Sequence, residues 1–134
     1  MRRIEDSFAR QGLMQTLGAA LETIEPGRVV IAADVTDATA QQHGAAHAGL
    51  TFALADSAAG YAALSVMAEG REVVTSEFRI SLLAPGTGRL TAVGRVIRPG
   101  RRLVAVAADV WSGGEGGVHV ATALGTMVSV DPAR

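Results

Sequence analysis

The feature that most constrains this chain is the run over residues 50–67, LTFALADSAAGYAALSVM, whose only charged residue is Asp56. Apolar residues fall on nearly every side of the helix that this run predicts, and such a helix belongs in a protein interior. A carboxylate inside a protein is costly unless it is paired or used for chemistry. The run therefore predicts a central buried helix and makes Asp56 a candidate functional residue.

Composition limits the classes of protein that this chain can represent. With 134 residues, 49% of them hydrophobic, the chain is expected to form one domain over residues 1–134 with a real core. The net charge of −1 gives no sign of a nucleic-acid or anionic-membrane partner, and the absence of Cys excludes disulfides and thiol catalysis. The opening MRRIEDSF lacks the apolar stretch of a signal peptide, so we expect a soluble cytoplasmic protein.

Turn residues divide the rest of the chain into β-like segments. Pro26-Gly27 suits the centre of a type II turn and predicts a hairpin of residues 19–25 and 28–36. Four more strands are predicted over residues 72–84, 89–98, 102–112 and 118–130. Alternation in the first of these places Val74, Phe78, Ile80 and Leu82 on one face, with Thr75, Glu77, Arg79 and Ser81 on the other. In the last strand, the residues that share a face are Val118, Val120, Thr122, Leu124, Thr126, Val128 and Val130.

One long apolar helix and a series of long strands predict an α+β protein. The economical arrangement is a curved antiparallel sheet wrapped around the helix, preceded by a short amphipathic helix through Ile4 and Phe8 that stops at Gly12. One sheet covers only part of the helix circumference, so we expect a second copy of the chain to cover the remaining apolar side. The predicted assembly is a dimer, or a dimer of dimers.

The start of the long helix is the second candidate functional element. His47, Ala48 and Gly49 precede the helical run, where unpaired backbone N–H groups can hold an anion or a developing oxyanion. A carboxylate near an oxyanion site is the minimum equipment for hydrolysing an acyl group. The alternative is structural, with Asp56 bonding only a neighbouring hydroxyl or backbone amide.

The motif His43-Gly44-Ala45-Ala46-His47-Ala48-Gly49, followed by Leu54-Ala55-Asp56, resembles the signature of hotdog-fold acyl-CoA thioesterases. It is most similar to the PaaI-like subgroup of phenylacetate degradation, whose pattern is a polar amide, G-x-x-H-G-G and then Leu-x-Asp. Weaker similarity continues through residues 78–85 and 123–126. The resemblance implies a hotdog fold, an acyl-CoA substrate, a homo-oligomer, and neither cofactor nor metal.

The resemblance also implies roles for individual residues. Asp56 would be the nucleophile or general base and would act across a dimer interface. The backbone N–H of Ala48 would polarise the thioester carbonyl, and His47 and Gly49 would shape its loop. Gln41 would orient the water or the carbonyl, and Thr75 would help to hold the water.

Two residues depart from the family pattern. Ala48 replaces the first Gly of H-G-G, and Ala tolerates positive φ poorly, so strain or a shifted loop is expected there. Gln41 replaces the more frequent Asn and is one methylene longer. Both changes leave the acyl preference open.

Other polar and aromatic residues have weaker claims to a role. Tyr61 belongs either to the core or to the acyl pocket, and Trp111 is expected to pack at the core or an interface. The Arg98, Arg101 and Arg102 cluster either meets the phosphates of coenzyme A or forms a solvated turn. His43 and His47 are four apart, but Gly44 spoils the helix that a metal site at this spacing requires.

Two further functions remain open on the sequence. A hotdog hydratase or dehydratase would act on the same thioesters with an Asp/His pair, which is not found here in the motif typical of such enzymes. A non-catalytic module that binds CoA esters is favoured only by the Ala48 replacement. Release of free thiol from acyl-CoA separates hydrolysis from both alternatives.

Overall fold

A six-stranded antiparallel sheet packs around one long helix in the computed structural model, which describes residues 1–132. The helices are α1 (Arg2–Arg10), α2 (Gly12–Thr16) and α3 (Ala48–Ser65). The strands are β1 (Ala20–Glu25), β2 (Arg28–Asp34), β3 (Glu72–Leu82), β4 (Arg89–Arg98), β5 (Leu103–Ser112) and β6 (Val118–Val130). Their order in the sheet is β1-β2-β4-β5-β6-β3, so the predicted α+β architecture with α3 as its filling is confirmed.

Small residues let α3 lie very close to the sheet. Ala58, Ala59 and Ala62 are fully buried, and Gly94 of β4 faces the first two of them. A Cβ on Gly94 would lie far inside van der Waals contact with the backbone of Ala58 and Ala59. Gly94 is therefore a site of close backbone approach.

The side of α3 away from the sheet is covered in part by α1 and α2. Ile4 and Phe8 of α1 and Met14 of α2 are buried, and Arg3 donates to the carbonyl oxygens of Leu64, Met67 and Ala68 at 2.6, 2.6 and 2.8 Å. α1 and α2 thus cover part of the side of α3 that we expected a second copy to cover, while Ala48, Gly49 and Phe52 near its N-terminus remain exposed. Gly12 also begins α2 rather than ending the opening helix.

A bulge in β3 overturns the predicted faces of that strand. Thr75 pairs with Met127 and Glu77 with Thr126, which leaves Ser76 as an extra residue. One extra residue reverses the alternation on its N-terminal side, so Thr75 turns toward α3. Val74, predicted on the apolar face, is 48% exposed. Leu82 at the other end of the strand is also exposed, whereas Phe78 and Ile80 pack against the core as predicted.

The residues predicted to share a face of β6 mostly form its outer face. Thr122 and Leu124 are exposed, and the inward residues are Ala121, Ala123 and Met127. The core therefore receives Ala121, Ala123 and Met127 from β6, rather than most of its β-branched residues. Val120 is the buried exception, because a second bulge displaces it from the β5 pairing.

Within residues 1–132, no helix combines the length and the apolar character needed to cross a membrane.

Candidate active site

Asp56 and Thr75 form the polar centre of a pocket between α3 and β3. Thr75 Oγ1 donates a hydrogen bond to Asp56 Oδ1 at 2.8 Å, and this contact exists because the bulge at Ser76 turns Thr75 toward the helix. The Asp56 side chain is partly buried and opens into a pocket of 360 Å³. No cationic side chain pairs with Asp56 in the described part of the chain.

The protonation of Asp56 reflects two opposing effects. Burial raises the pKa of the carboxyl because the charged form loses solvation, and the hydrogen bond from Thr75 opposes that rise. The net effect is a pKa above the ordinary value for aspartate. A carboxylate in this state is a stronger base than one in water, and Thr75 fixes one of its oxygens.

A polar network lines the inner wall of the Asp56 pocket. The Tyr61 hydroxyl lies 3.0 Å from Ser7 Oγ and accepts from Gln11 Nε2 at 3.0 Å. Gln11 Oε1 in turn accepts from Ser57 Oγ at 3.1 Å. Tyr61 is thus both a core residue and a pocket residue. Sequence reasoning missed the other three, because nothing in the sequence shows that α1 and α2 fold back over α3.

The N-terminus of α3 presents one free backbone donor. His47 is the N-cap, and its Nδ1 accepts from the N–H of Gly49 at 2.8 Å, while its carbonyl accepts from Leu50. No acceptor for the Ala48 N–H lies among residues 1–132. A Cβ on Gly49 would lie 3.0 Å from His47 Nδ1, so glycine leaves room for this cap.

The strain expected at Ala48 is absent. Ala48 is the first residue of α3, and no residue other than glycine has a positive φ in residues 1–132. The prediction was wrong because it placed Ala48 in a loop before the helix. At the first helical position, Ala presents its N–H as well as Gly would.

A second pocket, of 420 Å³, lies beside the Ala48 N–H. Gln41 and Thr51 line it together with an apolar wall that includes Leu82, Leu83 and Pro85. Gln41 Oε1 accepts from the N–H of His43, which leaves the side-chain NH₂ as a donor. This pocket therefore combines two N–H donors with an apolar lining.

Within one chain, the predicted residues fall into two groups. Asp56, Thr75 and Tyr61 belong to the first pocket, whereas Gln41 and Ala48 belong to the second. Ala48 and Asp56 are eight residues apart on α3, which is about 12 Å along the helix axis. One chain by itself therefore separates the carboxylate from the oxyanion donor.

The predicted arginine cluster lies elsewhere. Arg98, Arg101 and Arg102 are exposed, and the last two line a pocket with Val66 and Met67, beyond the C-terminal end of α3. Met67 lies eleven residues past Asp56 in the chain. The structure does not bring this cluster to the Asp56 pocket within one chain.

The remaining candidates lie outside both pockets. Trp111 stacks on His119 with ring centroids 4.4 Å apart, and His119 Nε2 lies 2.8 Å from Asp109 Oδ1 on the outer face of the sheet. Glu77 and Arg79 are exposed. No group of three His, Asp or Glu side chains suited to a metal ion occurs within residues 1–132, and His47 Nδ1 is engaged in the helix cap.

Sequence comparison assigns the chain to a family. A sequence model described as the thioesterase superfamily matches residues 43–119, which span the His43 motif, α3 and strands β3 to β5. The chain belongs to the thioesterase superfamily. A provisionally named esterase of Deinococcus radiodurans is 38% identical to this thioesterase over 114 residues, which are 84% of this chain and 75% of that protein.

Solved structures agree with this assignment. A thioesterase family protein from Silicibacter pomeroyi is 39% identical, with a TM-score of 0.92 over 98% of both chains. The Escherichia coli PaaI protein of the phenylacetic acid degradation operon is 24% identical and shares the fold, with a TM-score of 0.88 over 98% of this chain and 94% of that one. The predicted hotdog fold and the predicted thioesterase family are confirmed, and the protein is a thioester hydrolase.

Proposed function

We propose that this thioesterase hydrolyses acyl-CoA thioesters to the free acid and CoA, with Asp56 as the catalytic carboxylate. The observation that carries the proposal is the Asp56–Thr75 pair, a carboxylate of raised pKa held at one oxygen and open to a pocket. A base whose pKa is tuned upward is suited to proton transfer near neutral pH.

The chemistry needs only groups that this chain carries. Asp56 either removes a proton from water, whose hydroxide then attacks the thioester carbonyl, or attacks that carbon itself to form an anhydride that water hydrolyses. The Ala48 N–H and the Gln41 NH₂ donate to the carbonyl oxygen as it becomes negative. The C–S bond breaks, the CoA thiolate leaves and takes up a proton, and the acid is released.

A site of this kind requires two copies of the chain, since one copy separates its halves. β3 is an edge strand of 11 residues whose outer side pairs with no strand within residues 1–132. Its Thr75 end lies at the Asp56 pocket and its Leu82 end lines the Ala48 pocket. Antiparallel pairing of two β3 strands about their middle, near Phe78, brings Asp56 of one protomer to the partner's Ala48.

Exposed apolar side chains along this edge support the same assembly. An unpaired strand edge is a template for pairing with another chain, and apolar exposure beside it favours burial on association. The exposed apolar residues at this edge are Phe52, Val74, Leu82 and Leu83. We therefore propose a homodimer that forms through β3. Two such homodimers can associate further into a dimer of dimers. Arg98, Arg101 and Arg102 stay candidates for contact with the phosphates of coenzyme A, because these phosphates lie at the far end of the pantetheine arm from the thioester.

The test is release of free thiol from a panel of aromatic and aliphatic acyl-CoAs. Wild-type protein is expected to release thiol from at least one of them, and Asp56→Asn to lower kcat by about 10²–10⁴-fold, the range for loss of a general base. Asp37→Asn is the matched control, because Asp37 is exposed and lines neither pocket. Near-normal turnover by Asp56→Asn on every responsive substrate would show that Asp56 is not the catalytic group.

A further inference from the structure

Thr51 carries a polar group that the proposed chemistry does not use. It lies one turn after Ala48 on α3 and is only 2% exposed. Its hydroxyl makes no hydrogen bond with any group in residues 1–132. Every side-chain oxygen or nitrogen that is fully enclosed in that part of the chain does have a hydrogen-bond partner, so the Thr51 hydroxyl oxygen is not fully enclosed. The small exposed area of Thr51 therefore includes its hydroxyl oxygen.

The surface that the Thr51 hydroxyl reaches is the pocket of Ala48 and Gln41. Thr51 is among the residues that line this pocket, whose other walls are mostly apolar. An unpaired hydroxyl at the base of an apolar pocket is unfavourable unless something that enters the pocket bonds to it. Valine would fill nearly the same volume without that disadvantage.

We infer that Thr51 is a specificity-determining residue, which hydrogen-bonds a hydroxyl or keto oxygen carried by the acyl group of the substrate. The inference rests on the proposed function, because it takes the thioester carbonyl to lie at the Ala48 N–H. The acyl group is the least polar part of an acyl-CoA, and the pocket of Ala48 is the more apolar of the two pockets.

The position of Thr51 along α3 determines where the acyl group must carry its oxygen. Thr51 is the third residue after Ala48 on α3, which places it about 4.5 Å farther along the helix axis. An oxygen on a carbon two or three positions beyond the thioester carbonyl lies at about this distance from the carbonyl oxygen. The substrate class is therefore acyl-CoA oxygenated on the third or fourth carbon, and Thr51 serves it because a hydroxyl both donates and accepts.

The test compares pairs of substrates that differ by one oxygen. Thiol release is measured with butanoyl-CoA against 3-hydroxybutanoyl-CoA, and with octanoyl-CoA against 3-hydroxyoctanoyl-CoA. For each pair, the kcat/KM of the hydroxylated substrate is divided by that of the plain one. Thr51→Val is expected to lower this ratio about three- to tenfold, the effect of one neutral hydrogen bond, in at least one pair. Thr51→Ser, which keeps the hydroxyl, is expected to preserve it.

Two further variants separate this role from general effects. Thr122→Val makes the same chemical change on the exposed outer face of β6 and is expected to leave the ratio unchanged. Thr51→Ala removes the hydroxyl without adding a methyl group, so it gives the same measurement if valine does not fit. A ratio that is equal in wild type, Thr51→Val and Thr51→Ala, while wild type hydrolyses both members of each pair, overturns this inference alone. Absence of thiol release by wild type from every acyl-CoA overturns the proposed function and this inference with it.

Discussion

At the scale of single residues, the site depends on a carboxylate that is kept partly out of water and that forms no ion pair within residues 1–132. Asp56 has one neutral donor, Thr75, and burial still raises its pKa. Such a group weakens the fold at neutral pH, since charging it inside the protein costs more than charging it in the unfolded chain. A buried carboxylate that destabilises the fold without a compensating ion pair is typical of functional sites.

The first prediction concerns the stability of Asp56→Asn. The raised pKa means that the folded state binds the Asp56 proton more tightly than the unfolded chain does. Protonation of Asp56 therefore stabilises the fold at low pH, and this stabilisation is lost as the pH rises through the pKa of the folded state. At pH 7 the variant, which cannot ionise and still offers Thr75 an acceptor, is expected to have a higher Tm than wild type. The difference should shrink as pH falls below the ordinary range of aspartate. A lower Tm for the variant at pH 7 would contradict the assignment, and the exposed Asp37→Asn is the reference.

The second prediction concerns Thr75 and is read from the pH dependence of kcat/KM. Loss of the Thr75 hydrogen bond removes the one contact that lowers the Asp56 pKa, so Thr75→Val is expected to move the acid limb of the profile to higher pH. Its rate at neutral pH should fall several-fold, because the Asp56 oxygen is no longer held in place. Thr75→Ser should keep the wild-type limb. An unmoved limb in Thr75→Val would mean that the hydrogen bond does not act on the catalytic group.

At the scale of helices and strands, turn chemistry and periodicity were sufficient for the element bounds. The predicted ranges 89–98 and 118–130 coincide with β4 and β6, and the other strands and α3 differ by at most two residues at an end. Alternation was a poorer guide to faces. The single extra residue at Ser76 reverses the alternation in β3, and a serine at that position does not predict a bulge. The role proposed for Thr75 came only from the family resemblance, and its orientation only from the structure.

Contacts between distant elements were the other part that could not be predicted. The Tyr61 network joins α3 to residues about fifty positions earlier, Ser7 and Gln11. The polar face of an amphipathic helix is normally expected in solvent, so the sequence gives no reason to place it in a pocket. Thr51 was overlooked for a related reason, because its hydroxyl is inconspicuous within an apolar run.

The third prediction tests the close approach of α3 to the sheet. Gly94→Ala would push the Ala58 and Ala59 backbone away from β4, so we expect the free energy of unfolding to fall by about 3 kcal/mol, at the upper end of ordinary overpacking. Urea denaturation measures this change. Gly12→Ala is the control, because a Cβ there meets nothing within 4 Å and its φ is not positive. Equal stability of the two variants would show that α3 can shift to admit a methyl group.

At the scale of the whole molecule, the two pockets of one chain are each incomplete. One holds the carboxylate and the other holds the N–H donors, and β3 runs between them along an unpaired edge. A dimer through this edge would complete two sites at once. Catalysis would then depend on assembly, which allows a test that does not rely on the effect of any single substitution.

The fourth prediction starts from a variant that removes only the Ala48 N–H. Proline is well tolerated at the first position of a helix, and His47 before it has φ −63° and ψ 142°, which suits a residue that precedes proline. Ala48→Pro is therefore expected to fold and to lose about 10²–10³-fold in kcat, as for loss of one oxyanion donor. Arg2→Pro at the start of α1 is the matched control, because it makes the same change away from both pockets.

Mixing this variant with Asp56→Asn then decides whether the site is shared. Each variant alone is expected to retain about 1% of wild-type kcat or less, but a mixed dimer has one site that combines the intact Asp56 of one protomer with the intact Ala48 of its partner. Random exchange of equal amounts makes half of the dimers mixed with one active site of two, so activity is expected to return to about a quarter of wild type. Thiol release is followed after the two proteins are unfolded together and refolded, with each variant refolded alone as the blank. If the mixture is no more active than the blanks while dimers form, Asp56 and Ala48 of the same chain must act together, and the shared site is wrong.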